Sequence, residues 1–382
     1  MALPPFDLCR NSHFITDKQV APVLAELQTL FDAVHDRAAR LDVPVAVLIG
    51  GSLARREPSV RFAGGKPTAL ESDADFFVLV PDAGQISHAA ALERDTAGIS
   101  PAIDRSFHFA PLTASQKGHM GQSALSVVYG LDYPIYAPMA LPRPANPVAD
   151  PVDGLEVLIH RLVTVAIDRH VTTHLLTGGV APLTPEGRRS AVLKLVLAGI
   201  EAQYYGKIPE AAGIHPSVRL AKDGLFDGLI DTDTLMGFIR AREIFELGGP
   251  LPPIDLGAFA RTAIARQFDA PDGLGLDGLL QQMTERRYPY EILPRRVGVA
   301  LAAYSLASIG NEREQEAPIV GHWLRSLDDP ALDAPVIEAR DRLLAMLDRS
   351  PDEAFSSVDA FEAAGVLMTY VQRDVTRRAV GG

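Results

Sequence analysis

Cysteine is nearly absent from this chain of 382 residues, which carries Cys9 alone. No disulfide can form within the chain, and a reducing, cytoplasmic setting is the simplest expectation. Cys9 itself reads as a structural or exposed thiol rather than a nucleophile. Long apolar runs are missing too: no segment approaches the roughly 18 consecutive apolar residues that a membrane span needs. The N-terminus, MALPPFDLCR, has no basic stretch followed by an apolar core, so no signal peptide is expected. Basic charge is scarce. Lys and Arg number 36 against 48 Asp and Glu, a formal net charge of −12. The deficit is spread along the chain, with 11 basic and 15 acidic residues up to position 140 and 25 and 33 beyond it. Affinity for nucleic acid comes largely from cations that neutralise phosphates, so neither half reads as a nucleic-acid platform. No internal repeat recurs at a fixed period.

The residues that are present describe a globular protein of two domains, 47% hydrophobic and 22% charged. Between Lys18 and Leu41 the apolar residues Val20, Val23, Leu24, Leu27, Leu30, Phe31, Val34 and Ala38 recur at helical spacing. Pro22 is tolerated only in a first turn, so the regular helix begins near Ala21. Val45 to Ile49 is an apolar strand, with Pro44 just ahead of it because proline cannot donate to a ladder. Residues 57–72 read as a loop containing Pro58, Gly64, Gly65 and Pro67. Further strands are expected over 75–80, 104–112 and within 127–136, and a helix over 87–94. Five prolines between Ala137 and Asp153 mark a semi-rigid linker. Beyond it the pattern is helical, with candidate helices over 153–177, 187–206, 231–247, 256–268, 275–287, 292–308, 317–327, 331–349 and 351–378. The expected class is α+β: a small α/β domain with a mixed sheet over 1–145, then a larger all-α domain over 150–382.

Chemistry concentrates in two short segments, Ile49-Gly50-Gly51-Ser52-Leu53-Ala54-Arg55 and Ser72-Asp73-Ala74-Asp75-Phe76. A strand feeding a Gly-Gly-Ser turn lets backbone approach a ligand closely. Exposed N–H groups and the Ser52 hydroxyl suit phosphate oxygens. Asp73 and Asp75, two apart along a strand, place both carboxylates on one face. Two hard oxygen ligands so placed suit Mg²⁺, which combines carboxylates with phosphate oxygens and water.

This order of motifs resembles the DNA polymerase β-like nucleotidyltransferase superfamily over about residues 20–110. Gly51, Ser52, Asp73 and Asp75 match its signature positions, and Arg55 matches a common basic residue. The resemblance implies transfer of a nucleoside monophosphate from a nucleoside triphosphate to an acceptor hydroxyl, with Mg²⁺ (or Mn²⁺) as cofactor. Gly50, Gly51, Ser52 and Arg55 would hold the nucleotide, and Asp73 and Asp75 the metal. A Lys or Arg lent by the helical domain, which would close over the site, makes Lys194 a further phosphate ligand; snorkelling to the surface is the alternative for a lysine among apolar neighbours. The chain departs from the family in three ways. The gap from Ser52 to Asp73 is longer, Arg56 replaces a small residue, and the third carboxylate is not obvious. Asp104 is the first candidate for that third ligand. His108 is the second, as a base that does not bind Mg²⁺.

The acidic balance makes a small molecule the expected acceptor. Transfer to tRNA or protein, or nucleotide binding without transfer, are the alternatives. Other candidates have plainer readings. Arg56, Arg61 and Lys66 read as a solvated loop, Tyr204 and Tyr205 as core packing, and His170 with His174 as an ordinary pair rather than a zinc site, since no third ligand stands at a recognisable spacing.

Overall fold

The computed structural model describes residues 6–112, 129–143, 151–167, 169–170, 181–205, 207–208, 213–271, 273–285, 295–310, 315–316, 318–319 and 322. The chain forms mixed sheets and helices and divides into two compact units. The first comprises Met1–Asp150, Tyr205–Gly224 and Thr232–Leu251; the second comprises Pro151–Tyr204, Leu225–Asp231 and Pro252–Gly382. The units therefore change over at the proline-rich stretch, but two later segments return to the first.

In the first unit, α1 (Ala21–Ala38) starts at Pro22's turn and buries Val23, Leu27, Leu30, Phe31, Val34 and Ala38. These residues pack on one face of a four-stranded sheet ordered β5-β4-β1-β6, from β5 (Arg105–Pro111), β4 (Ala74–Val80), β1 (Ala46–Ile49) and β6 (Pro134–Tyr136). β1 runs antiparallel to β4 and β6, while β4 and β5 run parallel, so the sheet is mixed. Alternation sends Val47, Ile49, Phe76 and Val78 into the α1 core. It sends Ala46, Leu48, Phe77 and Leu79 into a smaller cluster on the opposite face, with Ala110 and Leu131. The helix expected over 87–94 divides into α3 (Ile86–Ala89) and α4 (Ala91–Thr96).

Residues 57–72 are not a loop. After the one-turn α2 (Gly51–Ala54), β2 (Val60–Ala63) and β3 (Lys66–Leu70) form a hairpin. Gly64 and Gly65 close it with φ of +56° and +75°, the left-handed pair that a two-residue turn matching strand twist requires. Pro67 is accommodated because β3 is an edge strand in the order β3-β2-β9. The third strand comes from the stretch expected to continue a helix over 231–247. The helix in fact ends at Glu243, and β9 (Ile244–Glu246) runs parallel to β2 with Phe245 fully buried.

Two buried carboxylates fasten these distant segments. Glu57 is 0% exposed and accepts the backbone N–H groups of Ile214 (3.1 Å) and His215 (2.6 Å). Glu243, also 0% exposed, accepts those of His13 (2.8 Å) and Phe14 (2.6 Å). Arg242 Nη2 donates to the Glu57 carbonyl at 2.7 Å, and the His13 and His215 rings stack 5.0 Å apart. A buried charge persists only where hydrogen bonds replace its water, and backbone N–H groups do so here.

Among its described residues the second unit is helical apart from the two-residue strands β7 (Arg169–His170) and β8 (Ala181–Pro182), so it is not all-α. α5 (Pro151–Ile167) and α6 (Pro185–Tyr204) pack with α9 (Leu256–Gln267) and α11 (Arg295–Ile309); α10 (Leu276–Glu285) packs on α11. The first unit also contains α7 (Ser217–Lys222) and α8 (Thr232–Glu243). α5 ends ten residues before the expected limit at 177. His170 lies in a strand, which removes the helical i,i+4 spacing with His174, itself outside the described residues. Helices expected over 331–349 and 351–378 also lie outside them. Tyr204 and Tyr205 are buried, as core packing requires. No described helix is long and apolar enough to cross a membrane.

Candidate functional site

Gly50 follows β1 in extended conformation, and the chain turns at Gly51. The Gly50 N–H donates to the Asp75 carbonyl at 2.8 Å, so the glycine turn and the acidic strand are directly bonded. A Cβ at Gly50 would collide with the Phe77 ring. Phe77 thus occupies the space that the first glycine leaves, and the requirement for glycine there comes from packing. Gly51 has φ +59°, the left-handed region that favours glycine, and begins α2. Gly51 and Ser52 are partly exposed in that turn.

Asp73 is exposed immediately before β4. Asp75 lies on the face of β4 that carries Phe77, with a side chain 18% exposed. The parallel register pairs Asp75 with Ser106 and Phe77 with His108. Three polar side chains therefore converge. Ser106 Oγ donates to Asp75 Oδ1 at 2.6 Å, Ser106 Oγ and His108 Nε2 are 3.1 Å apart, and His108 Nε2 stands 3.5 Å from Asp75 Oδ1. The His108 imidazole stacks on Phe77, with ring centroids 5.1 Å apart and planes at 28°. Burial alone would raise the Asp75 pKa. Hydrogen bonds from His108 and Ser106, and the positive charge of His108 and Arg55, outweigh it and hold the carboxyl below its usual range.

Asp104 does not join this cluster. It precedes β5, two residues before the position opposite Asp75; its carbonyl accepts the Ala74 N–H at 2.8 Å and its side chain is exposed. Among the described residues no group of three or more His, Cys, Asp or Glu side chains is arranged to hold a metal ion, so Asp73, Asp75 and Asp104 do not form the expected three-carboxylate set. The residue that sequence reading missed is Ser106. Its signal was the period-2 alternation of Arg105-Ser106-Phe107-His108, which puts Ser106 and His108 on one face once that segment is taken as a strand.

Of the neighbouring cations, Arg55, Arg56 and Arg61 are engaged in structure. Arg55 Nε lies 3.3 Å from Glu57 Oε2 with its side chain 16% exposed, so its guanidinium joins the buried clamp while its charge still reaches Asp75. Arg56, at φ +61°, stacks over Phe6 and Tyr133. Arg61 pairs with Glu71 at 2.5 Å, and Lys66 is exposed in β3. Lys194 is exposed on α6 of the second unit, the solvent-facing outcome for a lysine on an otherwise apolar helix. Cys9 is buried in the α1 core, and burial, reinforced by Asp17, raises its thiol pKa far above the usual value, so it is an inert packing residue. No protein-family model matches the chain, and neither a curated protein nor a solved structure is significantly similar to it.

Proposed function

We propose that the first unit binds a nucleoside triphosphate at the Gly50-Gly51-Ser52 turn and transfers its nucleotidyl group to the hydroxyl of a small-molecule acceptor. One observation carries the reading: the turn is hydrogen-bonded to Asp75, whose carboxylate is in turn bonded to Ser106 and faces the imidazole of His108. Backbone groups for phosphates, a carboxylate and a base thus stand on adjoining strands. Gly51 and Ser52 hold the phosphates, and Arg55 contributes positive charge nearby. His108 takes the proton of the acceptor hydroxyl. The oxygen then attacks the α-phosphorus, the bond from that phosphorus to the bridging oxygen breaks, and pyrophosphate leaves with the bonding electrons.

Asp73 and Asp75 are the residues that would hold Mg²⁺. Mg²⁺ is commonly bound through one or two carboxylates plus substrate phosphates and water, and a pair fits that habit where a three-carboxylate cage does not. Among the described residues no hydrogen bond engages Asp75 Oδ2, which leaves one oxygen for a cation. When bound, the ion would neutralise phosphate charge. The net charge of −12 favours a small acceptor over a nucleic acid.

Asp104's exclusion from the cluster favours a second reading, nucleotide binding without transfer. Both are tested with triphosphates labelled on the α-phosphate, Mg²⁺ and a panel of hydroxyl-bearing small molecules. Pyrophosphate release with label in the small-molecule fraction, lost in Asp75→Asn, is expected. Label in RNA or protein would move the acceptor, binding without pyrophosphate would favour the second reading, and no Mg²⁺-dependent binding would sink both.

A further inference from the structure

Hydrogen counting at the Asp75–Ser106–His108 triangle assigns a proton position. A serine hydroxyl has a single hydrogen. Ser106 Oγ lies 2.6 Å from Asp75 Oδ1, inside the range of a charge-assisted O–H···O⁻ bond, and 3.1 Å from His108 Nε2. Were the hydroxyl hydrogen directed at Nε2, two oxygens bearing lone pairs would face each other at 2.6 Å with no proton between them. The 2.6 Å separation is that of a hydroxyl donating to a carboxylate oxygen, and it is the shorter of the two contacts that Ser106 Oγ makes. The hydrogen therefore belongs on the Asp75 side. The 3.1 Å contact must then be supplied from the ring, by Nε2–H donating to Ser106 Oγ. The 3.5 Å approach of Nε2 to Asp75 Oδ1 gives the same N–H a second, longer acceptor.

We propose that Ser106 is a positioning residue that fixes the tautomer of His108: it donates to Asp75, accepts from Nε2–H, and so leaves the lone pair of the neutral imidazole on Nδ1, the atom that takes the acceptor's proton. The Phe77 ring holds the imidazole plane from the other side. The serine thereby lets a carboxylate orient an imidazole without a direct short contact, a role that a third carboxylate at this position would not perform. The purpose of this arrangement rests on the nucleotidyl-transfer reading; the tautomer itself does not.

The test uses the full chain labelled with ¹⁵N-histidine, with the His108 signals assigned by His108→Gln. At a pH where the imidazole is neutral, the expected spectrum shows Nε2 protonated, its hydrogen protected from exchange with water, and Nδ1 pyridine-like. Ser106→Ala should lose that protection and Ser106→Thr should retain it. In turnover, Ser106→Ala should lower kcat about tenfold, a fraction of the 10²–10⁴ a positioned base contributes, with KM for the triphosphate within about twofold and recovery in Ser106→Thr. A wild-type His108 protonated on Nδ1, or an Nε2–H signal unchanged in Ser106→Ala, would overturn the assignment. A protein that shows the expected spectrum yet transfers no nucleotide would sink the transfer reading alone; one that transfers normally as Ser106→Ala would remove the positioning role.

Discussion

Asp75 and Glu57 are both carboxylates of the first unit, and their partners differ in kind. Asp75 keeps 18% of its side chain exposed, accepts a hydrogen bond from the Ser106 side chain and faces that of His108 at 3.5 Å. Glu57 is completely buried, its oxygens taken by the backbone N–H groups of Ile214 and His215 and by Arg55. Backbone donors have fixed positions, so a carboxylate they saturate works as a fastener. Side-chain donors can rotate away or exchange protons, so a carboxylate they hold is available to a ligand. Donor type separates the candidate site from the scaffold more sharply than burial does.

The largest effect that would break this contrast is catalytic. Asp75→Asn should reduce nucleotidyl transfer by about 10²–10⁴-fold, measured as pyrophosphate release, while chemical denaturation shifts little. Glu57→Ala should do the reverse. It strands the N–H groups of Ile214 and His215 and the Arg55 guanidinium, and should cost about 3–5 kcal/mol of unfolding free energy. Should Glu57→Ala unfold at the wild-type denaturant midpoint, the fastener reading fails. Gly50→Ala is the intermediate case: its methyl would meet the Phe77 ring, and a loss of about 1–3 kcal/mol is expected, with site geometry disturbed because Phe77 also supports His108.

The residues of the candidate site were more legible in the sequence than the scaffold. The Gly-Gly-Ser turn, Asp75 and His108 stand out because each lies within a strand or turn whose pattern spans only a few residues, and Asp73 directly precedes one. Asp104 was expected in the cluster and Ser106 was overlooked for a reason that no single segment carries: the β4–β5 register decides which residue stands opposite Asp75, and register depends on two strands about thirty residues apart. Arg55 looked like a phosphate ligand because its buried partner Glu57 reads as an ordinary surface acid. The clamps made by Glu57 and Glu243 join residues about 160 and 230 positions apart and leave no local trace. The hairpin at 60–70 did have a signal, the Gly64-Gly65 pair between alternating residues, masked by Pro67 and the polar content of the stretch.

The smallest effect, and the one that sharpens the comparison furthest, is in the pH dependence of stability, where Asp75 and Glu243 should behave oppositely. Asp75 has a depressed pKa: burial raises it, but its His108 and Ser106 hydrogen bonds prevail. The folded state therefore binds this proton less readily than the unfolded one. The associated stability is present above the ordinary aspartate range and is lost as pH falls through the lowered value. Glu243 has a raised pKa, because burial outweighs the N–H groups of His13 and Phe14. Its associated stability is present below the ordinary glutamate range and is lost as pH rises through the raised value. Denaturant midpoints of wild type, Asp75→Asn and Glu243→Gln, measured from acid to neutral pH, read both. The advantage of wild type over Asp75→Asn should shrink towards acid, and its advantage over Glu243→Gln should shrink towards neutral pH. Two differences that run parallel would mean that burial governs both carboxylates, and the distinction between side-chain and backbone donors would lose its energetic basis.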